Sequence, residues 1–361
     1  MSAESAVSAR SAGSAAASLS AGSAGSAGSA ATSLSTGSAV SGTALVAPSA
    51  PPVMVAGADL VDVGTGVPLW AQGARVRRPM GSITKVMTAL VVLREGHLNR
   101  PIRVSEAAIR YVSRGGASSA GLIAGDVLTA RQLLEALLLP SGCDAAFVLA
   151  TAYGPGRAAF IRKMNATAAL LGMKSTHFTS FDGMPHPTGY STYSTPADLI
   201  RLGEQAMREP LFRQIVAQRS YYLPATGRHH SYTWYTTNGL LFSFRGALGI
   251  KTGNTLAAGN CLLFEARRGG RTLIGVVLHA SPSANPGSAI VAAARVLTWG
   301  FRQPASHLPV RKRHPKQHRK RHRPQHRPAP PPLMICQLVR PSQFSPVQAR
   351  ASWAIRRCLA G

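Results

Sequence analysis

The sequence predicts an α/β fold of the α+β type: a largely antiparallel sheet flanked by helices. Three observations predict it. Residues 53–303 open on one hairpin pattern and close near another, and the stretch between them is patterned as helices. A hairpin joins antiparallel neighbours, so the sheet must be assembled from both ends of this stretch, with the helices laid against it.

The elements follow in chain order. In "ADLVDVGTGVPLWAQ" (58–72) two short apolar segments flank Gly64-Thr65-Gly66, a hairpin signal. Apolar residues spaced three and four apart then mark helices over 82–95, 129–139, 143–153, 157–171 and 196–208. The last opens on Thr195-Pro196-Ala197-Asp198, a capping threonine followed by a proline where no backbone N–H is needed. The second hairpin, "CLLFEARRGGRTLIGVVLHA" (261–280), turns on Gly269-Gly270.

The two ends read differently. Residues 1–52 are nearly all Ser, Ala and Gly, with too little apolar surface to offset chain entropy, and are expected to be disordered. No signal peptide is visible there, since a basic start and a run of large apolar residues are both missing. Residues 304–361 form a basic Pro/Arg/His-rich tail, also expected to be disordered. With no run of 18 apolar residues, no transmembrane helix is expected.

The formal net charge is +27, and residues 311–327 alone hold nine of the basic residues and no acid. Such a run suits an anionic polymer or an acidic membrane surface. No nucleic-acid fold or interleaved aromatics accompany it, so no specific nucleic acid is expected. His314, His318, His322 and His326 recur every fourth residue, but Pro315 and Pro324 oppose the helix that would align them, and no metal is expected. Cys261, Cys336 and Cys358 allow disulfides in an oxidising compartment, with no pairing legible.

The chemistry starts at Ser82-Ile83-Thr84-Lys85. Lysine is scarce: of 40 Lys and Arg only seven are lysines, and only those at 85, 163, 174 and 251 precede the tail. A helix beginning near Ser82 puts Lys85 one turn on, on the same face. Its N-terminus favours negative charge, as in an alkoxide or oxyanion. Unlike arginine, lysine can lose its proton, so Ser82 and Lys85 pair a nucleophile with a base. Alone, the pattern reads more readily as a helix cap and a solvent lysine. Two further clusters accompany it. Ser141 stands in a loop opening a helix, with Asp144 in the first turn. Lys251-Thr252-Gly253 follows "GALGI" at a strand edge, where glycine allows close approach of a ligand. Each has an ordinary reading, as a cap and as a turn.

Together, in this order, the three clusters resemble those of β-lactamases and penicillin-binding proteins. The chain resembles the low-molecular-mass penicillin-binding proteins of the D-alanyl-D-alanine carboxypeptidase family, peptidase family S11, from Ala56 to Ala280. The likeness is carried by "RRPMGSITKVMTALVVL", "PSGCDAA", "LGMKSTHFTSFDGMPHPTGYSTYSTPADL" and "TTNGLLFSFRGALGIKTGNTLAAGNCLLFEA". It implies a serine β-lactamase/penicillin-binding-protein-like fold with a helical subdomain. It also implies a serine-type carboxypeptidase that removes the terminal D-alanine from peptidoglycan stem peptides ending in D-Ala-D-Ala. Ser82 would be acylated, Lys85 the base and Ser141 the proton relay. Lys251 would orient Ser141 and draw the substrate carboxylate, with Thr252, Gly253 and Thr255. Backbone N–H groups of Ser82 and Asn254 would form the oxyanion hole. β-Lactams would acylate Ser82, and no cofactor is needed.

The family works on the cell-wall side of the membrane, so an extracytoplasmic enzyme is implied despite the missing signal. One departure stands out: Cys143 occupies a substrate-binding position where most of the family has asparagine. A thiol donates and accepts only weakly. This bears on hydrolysis against transfer to an amine, and a D,D-transpeptidase with the same acyl-enzyme is the alternative. A β-lactamase is disfavoured, because Glu204 and Glu209 lack the Glu-x-x-x-Asn pattern.

Overall fold

In the computed structural model of the chain, residues 50–113, 116–280, 285 and 287–304 are described. The Ser/Ala/Gly-rich start, the basic run 311–327 with its histidines, and Cys336 and Cys358 lie outside them.

Strands β1 (Val55–Asp62) and β2 (Val67–Gln72) form the first hairpin. Helix α1 (Thr84–Glu95) follows, preceded by one 3-10 turn, Gly81–Ile83. The helical part comprises β3 (Pro101–Arg103), α2 (Glu106–Ser113), β4 (Val127–Thr129), α3 (Ala130–Leu138), α4 (Cys143–Tyr153) and α5 (Arg157–Leu170). The chain returns through α6 (Pro196–Ala206), α7 (Pro210–Val216), β5 (Ser220–Leu223), β6 (Tyr232–Tyr235) and the short α8 (Leu240–Ser243). It finishes with β7 (Ala247–Thr255), β8 (Gly259–Arg268), β9 (Arg271–Ala280) and α9 (Ser288–Arg302).

The main sheet has the order β2-β1-β9-β8-β7 with every neighbouring pair antiparallel. Its strands alternate between two apolar clusters, as a pleated strand must. Leu60, Phe264 and Val277 pack with Ala293, Val296 and Leu297 of α9. Val61, Leu263 and Val276 belong to the larger cluster with α1, α3, α4 and α6. Helix α1 is buried on all sides from Thr84 to Val92, so it shows no polar face and forms the axis of the helical layer.

The five helices expected from apolar spacing stand where they were placed, within two residues at each end. Thr195 caps α6, its hydroxyl accepting from Asp198 N at 3.2 Å. Four helices were not anticipated: α2, α7, α8 and α9. Helix α9 matters most, since it covers the second face of the sheet. The short pairs β3–β4 and β5–β6 are likewise made by tertiary contact.

Candidate active site

Three elements converge on Ser82. The 3-10 turn before α1 carries the serine, and one helical turn later α1 carries Lys85. The loop ahead of α4 carries Ser141, and β7, at the sheet edge, carries Lys251 to Thr255. Glycines permit this approach. A Cβ on Gly81 (φ +53°) would lie 2.9 Å from Asn254 N, and one on Gly253 would overlap the Met80 carbonyl oxygen. The third cluster thus needs glycine because β7 crosses directly against the serine-bearing turn.

Lys85 is fully buried. Its Nζ lies 2.7 Å from Ser82 Oγ, 3.0 Å from the Asp182 carbonyl oxygen and 3.3 Å from Cys143 Sγ. As an ammonium it donates to all three. As a free amine it would keep two donors and one lone pair. The Asp182 carbonyl can only accept, so the lone pair is left to a hydroxyl or thiol, and the Ser82 hydroxyl is the nearer. The site is therefore arranged for a proton to pass from Ser82 to Lys85.

Lys251 is also buried, and its amine is held well below the ordinary lysine range, by burial first and by the charge of Lys85 second. Its Nζ donates to Thr252 O at 3.2 Å and Thr252 Oγ1 at 3.3 Å. The expected Lys251–Ser141 contact is not made. Ser141 Oγ is buried with no hydrogen-bond partner among the described residues, and Ser141 sits at φ +66°. That left-handed backbone costs about 1–2 kcal/mol. Neighbouring bonds hold it: Ser118 Oγ donates to Ser141 O at 2.5 Å, and the buried Asp144 carboxylate accepts from Ser119 Oγ and Ala120 N.

A cleft of about 750 Å³ opens over these groups, lined by Ser82, Ser141, Thr252, Gly253, Asn254 and Thr255, with Ser118, Met184, Thr237 and Leu256 among its other walls. Thr252 Oγ1 lies 2.6 Å from Thr237 Oγ1, and Thr255 Oγ1 accepts from Ala258 N at 3.0 Å. Asn254 turns its side-chain amide onto Asn260 Oδ1, leaving its backbone beside the Ser82 turn.

Cys143 is fully buried, with its Sγ 3.3 Å from Lys85 Nζ. As first residue of α4 it points at α1, not at the opening. Burial raises its thiol above the ordinary range, outweighing the attraction of Lys85, so it is a poor nucleophile. Cys261 is a buried free thiol at the back of the cleft.

Two supporting residues were missed by the sequence reading. Asp182 is buried, and besides offering its carbonyl to Lys85 it accepts from Tyr111 OH at 2.8 Å and Met184 N at 3.0 Å. Tyr111 stands 71 residues away on α2, and no local pattern links the two. Removing the hydroxyl takes away a bond that holds Asp182, whose carbonyl positions Lys85. Tyr111→Phe is expected to slow penicillin acylation about tenfold, about 1.4 kcal/mol. A lower melting temperature with an unchanged acylation rate would reduce Tyr111 to packing.

Comparison with known proteins gives a concordant result. The sequence model of the Peptidase S11 family, D-alanyl-D-alanine carboxypeptidase, matches residues 45–282. The D-alanyl-D-alanine carboxypeptidase of Streptomyces sp. (strain K15) is 43% identical over 251 residues, covering 66% of this chain and 85% of that protein. A D-alanyl-D-alanine carboxypeptidase of Mycobacterium tuberculosis is 36% identical over 242 residues, covering 67% and 80%. The crystal structure of the Streptomyces K15 DD-transpeptidase matches with a TM-score of 0.66 at 40% identity, covering 70% of this chain and 99% of that one. With its antiparallel sheet, its flanking helices and a serine and lysine joined at the head of α1, this chain belongs to the D-alanyl-D-alanine carboxypeptidase family, Peptidase S11.

Proposed function

We propose that the chain removes the terminal D-alanine from peptidoglycan stem peptides through an acyl-enzyme on Ser82. The observation that carries this reading is the 2.7 Å contact between Ser82 Oγ and the fully buried Lys85 Nζ, at the floor of a cleft walled by Thr252 to Thr255. Ser82 Oγ attacks the carbonyl between the two terminal D-alanines, and its proton passes to Lys85. The carbonyl oxygen becomes an oxyanion facing the N–H groups of Ser82 and Asn254, where one donor is worth about 3 kcal/mol. The C–N bond breaks, and the leaving nitrogen takes a proton through Ser141. Water then attacks the ester, takes the acyl group and returns a proton to Ser82.

Lys251 suits one task here: the arrival of a substrate carboxylate favours the charged form of its buried amine. Ser141 Oγ, without a hydrogen-bond partner among the described residues, is then available to the leaving nitrogen. β-Lactams imitate the D-Ala-D-Ala end. Incubation with penicillin is expected to add one penicillin mass to the protein, on the peptide containing Ser82. An intact-mass spectrum without an adduct after long incubation would overturn the reading.

Transfer of the same acyl group to an amine is the second reading. It is favoured by Cys143 and by the solved Streptomyces structure, named a DD-transpeptidase. An asparagine at 143 would place a stronger acceptor on Lys85 and an amide donor near the acyl group. Cys143→Asn is expected to leave acylation within about tenfold and to change the ratio of hydrolysed to transferred product with an amine acceptor present. Equal rates and ratios in the parent, Cys143→Asn and Cys143→Ala would make the position packing alone.

An enzyme with this substrate works on the cell-wall side of the membrane. The nine basic residues of 311–327 are suited to bind an anionic surface there, wall polymer or lipid.

A further inference from the structure

We propose that the end of the sheet remote from the cleft is a docking face for an acidic lipid surface. The proposal takes from the preceding section only the reading that the enzyme works at the cell envelope. Arg245, Arg267 and Arg302 are exposed at this end, at the start of β7, the end of β8 and the end of α9. Arg268 lies among them. Its Nε donates to Arg245 O at 2.8 Å, and its guanidinium sits 3.8 Å from the Phe244 ring centroid and 5.6 Å from that of Phe301. Three residues before Arg245, Phe242 is 59% exposed, with the Arg219 guanidinium 5.0 Å from its centroid.

Glu265, on β8 two residues before Arg267, is buried. Asp62 is engaged by Arg271 at 2.5 Å, and none of Arg219, Arg245, Arg267, Arg268 and Arg302 has an ion pair among the described residues. Arg271 also donates to Gln303 O at 2.8 Å, which fixes where the chain leaves α9. The nine basic residues of 311–327 follow in the sequence.

The aromatic component decides between lipid and wall polymer. Both offer phosphates, which arginine binds well because it is weakly hydrated and forked. Only a lipid interface also offers an apolar phase to Phe242, and a ring beside cations is suited to that boundary. The orientation is productive. Strand β7 runs from this face at Ala247 to the cleft at Thr255, about 26 Å at roughly 3.3 Å per residue. Docked in this way, the cleft opens away from the lipid, towards the wall.

The test uses the full chain and sedimentation with vesicles of phosphatidylcholine alone or mixed equally with phosphatidylglycerol. Soluble polyphosphate serves as the polyanion without an apolar phase. The parent is expected to bind the mixed vesicles and to be released by salt. One basic side chain near an acidic membrane is worth about fivefold, so the triple variant Arg245→Gln, Arg267→Gln, Arg302→Gln should bind about a hundredfold more weakly. Phe242→Ser should lose about tenfold on mixed vesicles and nothing on polyphosphate. Vesicle binding by the triple variant equal to the parent's would overturn the proposal, leaving the tail as the cationic element. Phe242→Ser binding vesicles like the parent would also overturn it, in favour of a soluble polyanion. Penicillin labelling of each variant is read in parallel, so failure of the catalytic reading would appear as a missing adduct whatever the vesicles show.

Discussion

Replacing Lys85 by methionine or by arginine is expected to lower the rate of Ser82 acylation by penicillin at least about 10³-fold, about 4 kcal/mol of barrier. The two substitutions fail for different reasons. Methionine keeps much of the apolar packing of a side chain with no exposure, but it has no group to take the Ser82 proton. It also leaves the Asp182 carbonyl and the Cys143 thiol without their donor. Arginine keeps the charge but cannot release a proton near neutral pH. It must also fit a larger planar head into a site already in contact with Ser82, Cys143 and Asp182. Acylation rates beside melting curves separate chemistry from folding. A folded Lys85→Met variant that acylates at the parent's rate would remove Lys85 from the reaction.

Gly183→Ala is expected to be a highly damaging single methyl beside the serine-bearing turn. Gly183 has φ +87°, and a Cβ there would overlap the Gly81 carbonyl oxygen and approach Thr84 Oγ1 at 2.8 Å. The left-handed backbone alone costs about 1 kcal/mol for alanine, and backbone atoms cannot yield as a side-chain end can. With the displacement of neighbours the total is about 3 kcal/mol, a fall in melting temperature of about 6–12 °C. Gly81 precedes Ser82 in the 3-10 turn, so the same displacement moves the nucleophile, and acylation should fall at least about a hundredfold. Gly66→Ala is the control. Gly66 has φ +72° with nothing near its missing Cβ, so it bears the backbone cost alone. Equal melting temperatures for the two variants would show that the 183 turn moves freely away from Ser82.

Much of the fold was legible for identifiable reasons. Helices α1, α3, α4, α5 and α6 carry apolar residues at helical spacing over nine or more residues, and both main hairpins have glycine at their turns. Helix α9 has the same spacing at 289, 292, 293, 296, 297 and 300, yet it follows a Ser/Pro/Gly stretch and precedes the basic tail, and it was passed over. Strands β3 to β6 have three or four residues each, too short for a period to register.

By itself the sequence determined the chemistry on offer at this site. It set a serine and a lysine one helical turn apart, a second serine at a helix start and a lysine beside glycine on a strand. Those are local relations, set by 3.6 residues per turn and by which residues tolerate a turn. Tertiary structure decided how the groups are used, because burial and partnership are made by segments far apart in the chain. It put Asp182, 97 residues on, against Lys85, and left Ser141 Oγ without a partner among the described residues. It drew Lys251 out of water beside a second lysine, lowering its proton affinity. It also turned Cys143 away from the cleft and against Lys85, since the entry angle of α4 is fixed by bonds from Asp144 to residues 119–122 and by no feature of the cysteine itself.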